Sequence, residues 1–150
     1  MSHPGGRIGI IYAAKYKVRK LILVSSAGIR QPLSIKKKAN IKIYKLLKKF
    51  NFKPRMGSRD YISSDNVKKR MLVDAVNTDL KEEMNNISSE VLLIYGEKDK
   101  TTPLDLANKI NGNIKNSGLV IMNDCGHFPF LDKPYEFQLI IDSFLAGDII

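Results

Sequence analysis

The chain has 150 residues, 43% of them hydrophobic, with 27% charged and a formal net charge of +10. That length is one domain's worth of chain, and that apolar content excludes a disordered polypeptide. Its unbroken apolar runs are about five residues long, far short of the roughly 20 needed to cross a bilayer, so no integral membrane segment is expected. The start, Met1-Ser2-His3-Pro4-Gly5-Gly6-Arg7, lacks the charged-then-apolar pattern of a signal peptide. With Cys125 as the sole cysteine no internal disulfide can form, which fits a reducing compartment, and a cytoplasmic location is expected.

In chain order, Gly5 to Tyr16 has helical periodicity, with Ile8, Ile11 and Tyr12 expected as its buried side. Leu21 to Val24 is apolar at every position. Val91 to Tyr95 and Leu119 to Met122 read the same way, and such runs belong to parallel strands covered by helices on both faces. Thr102 to Ile110 predicts a helix with Pro103 in its first turn, where proline is tolerated. Pro134 to Leu145 predicts the last helix, with Tyr135, Phe137, Leu139, Ile140, Ile141 and Phe144 supplying apolar surface. Helix, strand, long insertion, strand, helix, strand, helix is a doubly wound α/β layout, here a partial parallel sheet of three strands.

Residues 31–88 form the insertion, flanked by core segments at 1–30 and 89–150. It contains two amphipathic stretches, Ser34–Phe52 and Asp65–Asn77, broken around Pro54 and Gly57. An insertion of this size between strands of one sheet predicts a helical cap over a site. The lysines between Lys36 and Lys53 account for much of the positive charge. At helical spacing Ile35, Ala39, Ile43, Leu46, Leu47 and Phe50 share one face and Lys38, Lys42, Lys45 and Lys49 the other, so they form the solvated side of an amphipathic helix. Without an arginine-rich stripe or interleaved aromatics, nucleic acid is not an expected partner.

Two segments carry chemistry. The second apolar run leads into Gly96-Glu97-Lys98-Asp99, and the third leads through Asp124-Cys125-Gly126 to His127. An acid and a histidine at the ends of neighbouring parallel strands have the form of the acid–base part of a nucleophilic triad. The bland alternatives are a loop-capping histidine and a turn or N-cap aspartate. Glu97 and Asp124 read as solvated loop acids. Cys125 is too near His127 in sequence for a Cys–His nucleophile and reads as packing.

Taken together, Leu92-Leu93-Ile94-Tyr95-Gly96-Glu97-Lys98-Asp99 with Pro103, and Gly126-His127-Phe128-Pro129-Phe130-Leu131-Asp132-Lys133-Pro134 with Phe137 and Ser143-Phe144-Leu145, resemble the C-terminal half of an α/β-hydrolase. Ser58-Arg59-Asp60-Tyr61 and Asn77-Thr78-Asp79-Leu80 are similar to cap pieces of that superfamily. The resemblance implies Asp99 and His127 as triad acid and general base, hydrolysis of an ester, acyl or carbon–carbon bond, a small-molecule substrate, and no metal or organic cofactor. It also exposes a departure. Aligning Gly5-Gly6 with the end of a Gly-x-nucleophile-x-Gly-Gly turn places His3 at the nucleophile, with Ser2 one residue out of register. The chain is thus expected to begin inside the nucleophile elbow, without the preceding strands, and to be weakly active or inactive alone. The alternative is a catalytically dead module that binds a partner through its basic cap. A first strand without its usual neighbour further implies self-association or complementation through an open sheet edge.

Overall fold

The computed structural model of the chain describes residues 4–29 and 78–147. In order these form α1 (Pro4–Lys15), β1 (Lys20–Val24), α2 (Lys81–Asn85), β2 (Glu90–Gly96), α3 (Leu104–Asn111), β3 (Ser117–Met122), α4 (Pro129–Asp132) and α5 (Pro134–Ala146). The amphipathic stretches Ser34–Phe52 and Asp65–Asn77, the elbow residues Ser2 and His3, and most of the expected cap lie outside the described residues.

The strands form one parallel sheet in the order β1-β2-β3, as the unbroken apolar runs predict. Leu21 pairs with Val91, Leu23 with Leu93 and Val24 with Ile94, while Leu93 pairs with Leu119 and Tyr95 with Ile121. Alternate residues of β2 point to opposite faces. Val91, Leu93 and Tyr95 join Leu23, with Ile10 and Ala13 of α1, Met84 of α2, and Leu106, Ala107 and Ile110 of α3. Leu92 and Ile94 face the other way, onto Met122, Cys125 and Phe144, with Phe137, Ile140 and Ile141 of α5 packed around them. Both faces of β2 are therefore dry, which is why its sequence shows no alternation.

The insertion leaves and rejoins this unit at neighbouring points. Leu80 N–H donates to Gly28 O at 2.9 Å, and buried Arg7 donates to Thr78 O. A side chain at Gly28 would meet Met84 Cε at 2.2 Å and Ile10 Cδ1 at 2.9 Å, so glycine lets the outgoing chain lie against these residues. Residues 78–88, within the insertion as bounded from sequence, pack in the sheet unit through Leu80, Met84 and Ile87.

Two helices differ from expectation. In α1 the buried face is Arg7, Ile10 and Ala13, whereas Ile8, Ile11 and Tyr12 are exposed, Ile8 by 64%. Apolar residues occur on more than one side of this helix, so periodicity does not select a face. Packing does: a side chain at Gly6 would meet Ser26 Oγ at 1.8 Å and Ser26 Cβ at 2.7 Å, so the glycine-bearing side is the one that fits against the chain just past β1. In α3 the helix starts at Leu104, and Pro103 is its extended N-cap with φ −67° and ψ 159°. In α5, Tyr135 and Leu139 are exposed, and Phe144 is the fully buried anchor.

The corrected register of α1 separates two isoleucines two positions apart. Ile10→Ala removes a fully buried side chain and is expected to cost about 2–5 kcal/mol, whereas Ile8→Ala is expected to stay within about 0.5 kcal/mol. Urea unfolding of the two variants checks this, and equal losses would contradict the register.

Candidate active site

β2 ends in Gly96 because no side chain fits there. A Cβ on Gly96 would sit 2.1 Å from Gly126 O and 2.4 Å from Cys125 O, both backbone atoms of the loop after β3. The two loops are joined at this contact by backbone hydrogen bonds. Glu97 N–H donates to Met122 O at 3.0 Å, and Lys98 N–H donates to Cys125 O at 2.8 Å. The Glu97 carboxylate accepts from Asp124 N–H at 3.0 Å, supporting a residue with a left-handed φ of 62°. Glu97 and Asp124 are exposed, as read from sequence, but they also work as loop fasteners, Asp124 additionally pairing with Lys98.

Asp99 follows in a tight turn and is almost wholly buried. Its Oδ1 accepts the backbone N–H of Thr101 at 2.7 Å and of Thr102 at 3.0 Å. Its Oδ2 accepts the Thr102 hydroxyl and faces His127 Nδ1 at 2.8 Å. Burial pushes the Asp99 carboxyl upward. The hydrogen bonds from the Thr102 hydroxyl and N–H, from His127 and from Thr101 N–H outweigh it and hold the group below the ordinary carboxylate range.

The histidine loop is braced from its other side. Gly126 N–H donates to Asp132 Oδ2 at 2.7 Å, tying it to α4. The His127 ring stands edge-on to Phe128 with centroids 4.9 Å apart, and the aromatic series continues through Phe130 to Phe137 of α5. The imidazole is thus held with Nδ1 toward the acid. Such an arrangement fixes one tautomer and stabilises an imidazolium formed during proton transfer.

Cys125 is fully buried with Leu92, Ile94, Met122 and Phe144, and burial raises its thiol above the ordinary value. A protonated, inaccessible sulfur is a packing residue. Among the described residues, no group of three or more His, Cys, Asp or Glu side chains is arranged to hold a metal ion, and no helix is long and apolar enough to cross a membrane. Three supporting residues have no counterpart in the sequence reading. Thr102 bonds the acid directly, Asp132 holds the histidine loop, and Ser25, at φ 43°, presents its carbonyl to Thr102 Oγ1 at 3.3 Å. The Asx-turn pattern Asp-x-Thr-Thr was the one available signal for Thr102.

A three-layer parallel α/β unit with an acid and a histidine hydrogen-bonded at the C-terminal edge of adjacent strands defines a hydrolase-type fold. The α/β hydrolase fold family model matches residues 33–134, and the chain belongs to that family. It is 38% identical over 66 residues to a pimeloyl-[acyl-carrier protein] methyl ester esterase of Nitrosomonas europaea, which covers 44% of this chain and 26% of that protein. A 2-hydroxy-6-oxononadienedioate/2-hydroxy-6-oxononatrienedioate hydrolase of Pseudomonas putida is 31% identical over 68 residues, 45% of this chain and 24% of that protein. Among solved structures, a meta-cleavage product hydrolase from Pseudomonas fluorescens superposes with a TM-score of 0.64 at 21% identity, covering 97% of this chain and 63% of that one. The chain thus spans about a quarter of the length of these two curated relatives.

The lowered Asp99 carboxyl fixes the sign of a pH effect. A group whose folded pKa lies below its unfolded value adds stability that is fully present above the unfolded value, near 3.9, and is lost as pH falls through the folded one. Asp99→Asn is therefore expected to flatten the acid limb of the stability–pH profile, measured by urea unfolding between neutral pH and about pH 3. An unchanged acid limb would show that Asp99 is not held ionised by these bonds.

Proposed function

We propose that the chain carries the acid–base machinery of an esterase-like hydrolase, with His127 as general base and Asp99 as the acid that orients it. The observation that carries this is the 2.8 Å contact between His127 Nδ1 and buried Asp99 Oδ2, at a sheet edge where ligands bind in open α/β folds. The activities of the two relatives, methyl ester cleavage and hydrolysis of a dienedioate, support a small-molecule substrate cleaved at an ester, acyl or carbon–carbon bond.

In the proposed chemistry the imidazole takes a proton from an attacking hydroxyl and returns it to the leaving group, while Asp99 stays ionised. The elbow residues lie outside the described residues, and the sequence places His3, not serine, at the nucleophile register. With a histidine at that register in place of a hydroxyl nucleophile, turnover by this chain is proposed to be weak.

A second reading has its own observation. Among the described residues β1 pairs only with β2, and Ile8, Tyr12 and Tyr16 of α1, the helix that precedes β1, are exposed. An open apolar edge of this kind recruits another strand, so an inactive interaction module that self-associates or is complemented by another chain is the alternative.

Hydrolysis of p-nitrophenyl acetate and butyrate by the chain and by His127→Ala, with sedimentation velocity of both at micromolar concentration, separates the two. Slow hydrolysis that returns to the uncatalysed rate in the variant is expected, a loss of about 10²-fold or more being ordinary for a removed general base. Absence of hydrolysis by either protein, together with association in the centrifuge, would replace the enzyme reading with the interaction module.

A further inference from the structure

Thr102 sits where the ends of all three strands meet. Its hydroxyl is bonded to Asp99 Oδ2 after β2, lies 3.3 Å from Ser25 O after β1, and lies 3.5 Å from His127 Nδ1 after β3. The residue is 1% exposed, so water does not compete for these contacts. A hydroxyl has a single proton to donate, and here two acceptors, a carboxylate oxygen and a carbonyl, are within reach of it.

The two oxygens of Asp99 have different supporters. Oδ1 is held by two backbone N–H groups, which no side-chain substitution at Thr102 removes. Oδ2, the oxygen that faces the imidazole, is the one that the Thr102 hydroxyl touches. The backbone thus fixes where the carboxylate lies, and the hydroxyl acts on how much charge its reactive oxygen shows to His127. We propose that Thr102 is a positioning residue for the acid–base pair, acting on His127 through Asp99 by drawing negative charge off Oδ2. The inference rests on the pairing proposed above.

Among the described residues, Tyr95 of β2 is a further ionisable group that senses Asp99. Burial raises its phenol, which donates to Ser26 O at 2.6 Å. It stays protonated across neutral pH and does not compete. Lys98 and Glu97, on the acid's own loop, are engaged with Asp124.

A donor lost from Oδ2 makes Asp99 a stronger base, so both proton-binding steps of the pair move upward. The test is an NMR titration of the whole chain, reading the Asp99 side-chain carbon and the His127 ring. His3 is the only other histidine, which makes the ring signals assignable with His127→Ala. In Thr102→Val the Asp99 midpoint is expected to rise by about one pH unit, as for loss of one charge-assisted hydrogen bond. The His127 midpoint is expected to rise with it, and Thr102→Ser to restore both.

An unmoved Asp99 midpoint overturns the proposal. A His127 midpoint that falls also overturns it, because that outcome means the carboxylate has swung away and Thr102 was only packing. Should Thr102→Val fail to fold, Thr102→Ala carries the same expectation without placing a new methyl group against the carboxylate. In the unmodified chain the Thr102 hydroxyl proton should exchange slowly enough to be seen, and its absence from the spectrum would count against the proposal. Asp99→Asn keeps the two levels apart. If it leaves His127 unmoved, the acid–base pairing itself fails; if it moves His127 while Thr102→Val does not, only the role of Thr102 fails. The experiment uses no substrate, so an inactive chain does not confound it.

Discussion

The candidate site depends on one steric fact: the end of β2 and the loop after β3 touch where only a hydrogen atom fits. Gly96 brings the backbone of one loop onto the carbonyls of Gly126 and Cys125, at distances of 2.1 and 2.4 Å respectively for any added Cβ. Everything that aligns the acid with the base is built outward from that contact. Lys98 N–H reaches Cys125 O, the Glu97 carboxylate reaches Asp124 N–H, and the next residue along, Asp99, is delivered opposite His127. Because the joint is backbone against backbone, no flexible side chain is available to absorb a misfit.

The sheet supplies the platform beneath it. β2 is central and dry on both faces, and its neighbours are parallel, so the loops after β2 and β3 leave from the same edge. Phe144 closes the face below the site through Leu92, Ile94 and Met122, and Lys20 adds a hydrogen bond to Phe144 O with its ammonium 4.7 Å from the Phe144 ring centroid. Cys125, whose carbonyl forms part of the joint, belongs to this same cluster through its side chain. Core packing and site geometry therefore meet at consecutive residues, and a cavity at Met122 or Phe144 would be felt one step away at the histidine loop.

The strands and the meeting of Asp99 with His127 were legible in the sequence for the same reason: each is encoded locally. Apolar runs of four or five residues identify the parallel strands, and an acid or histidine just past such a run lies at the sheet's C-terminal edge. The orientation of α1 was not legible. Ile8, Ile11 and Tyr12 are apolar like Ile10, and the choice between them is made by the closeness of Gly6 to Ser26, just past β1, which no periodicity records. The supporting residues were hidden for a related reason. Thr102, Asp132 and Glu97 act on partners 3, 6 and 27 residues away, and threonine or a surface acid in a loop has no distinguishing pattern until those partners are in place.

The account makes the acid–base contact a consequence of the loop joint at Gly96. It is tested most directly by the low-field proton NMR signal of the His127 Nδ1–H hydrogen bond, recorded for the chain and for Gly96→Ala with far-ultraviolet circular dichroism as the check on folding. A downfield signal assigned to His127 in the unmodified chain, lost in a Gly96→Ala protein that remains folded, is the predicted result. A signal that persists in Gly96→Ala, or that is missing from the unmodified chain, would contradict the account.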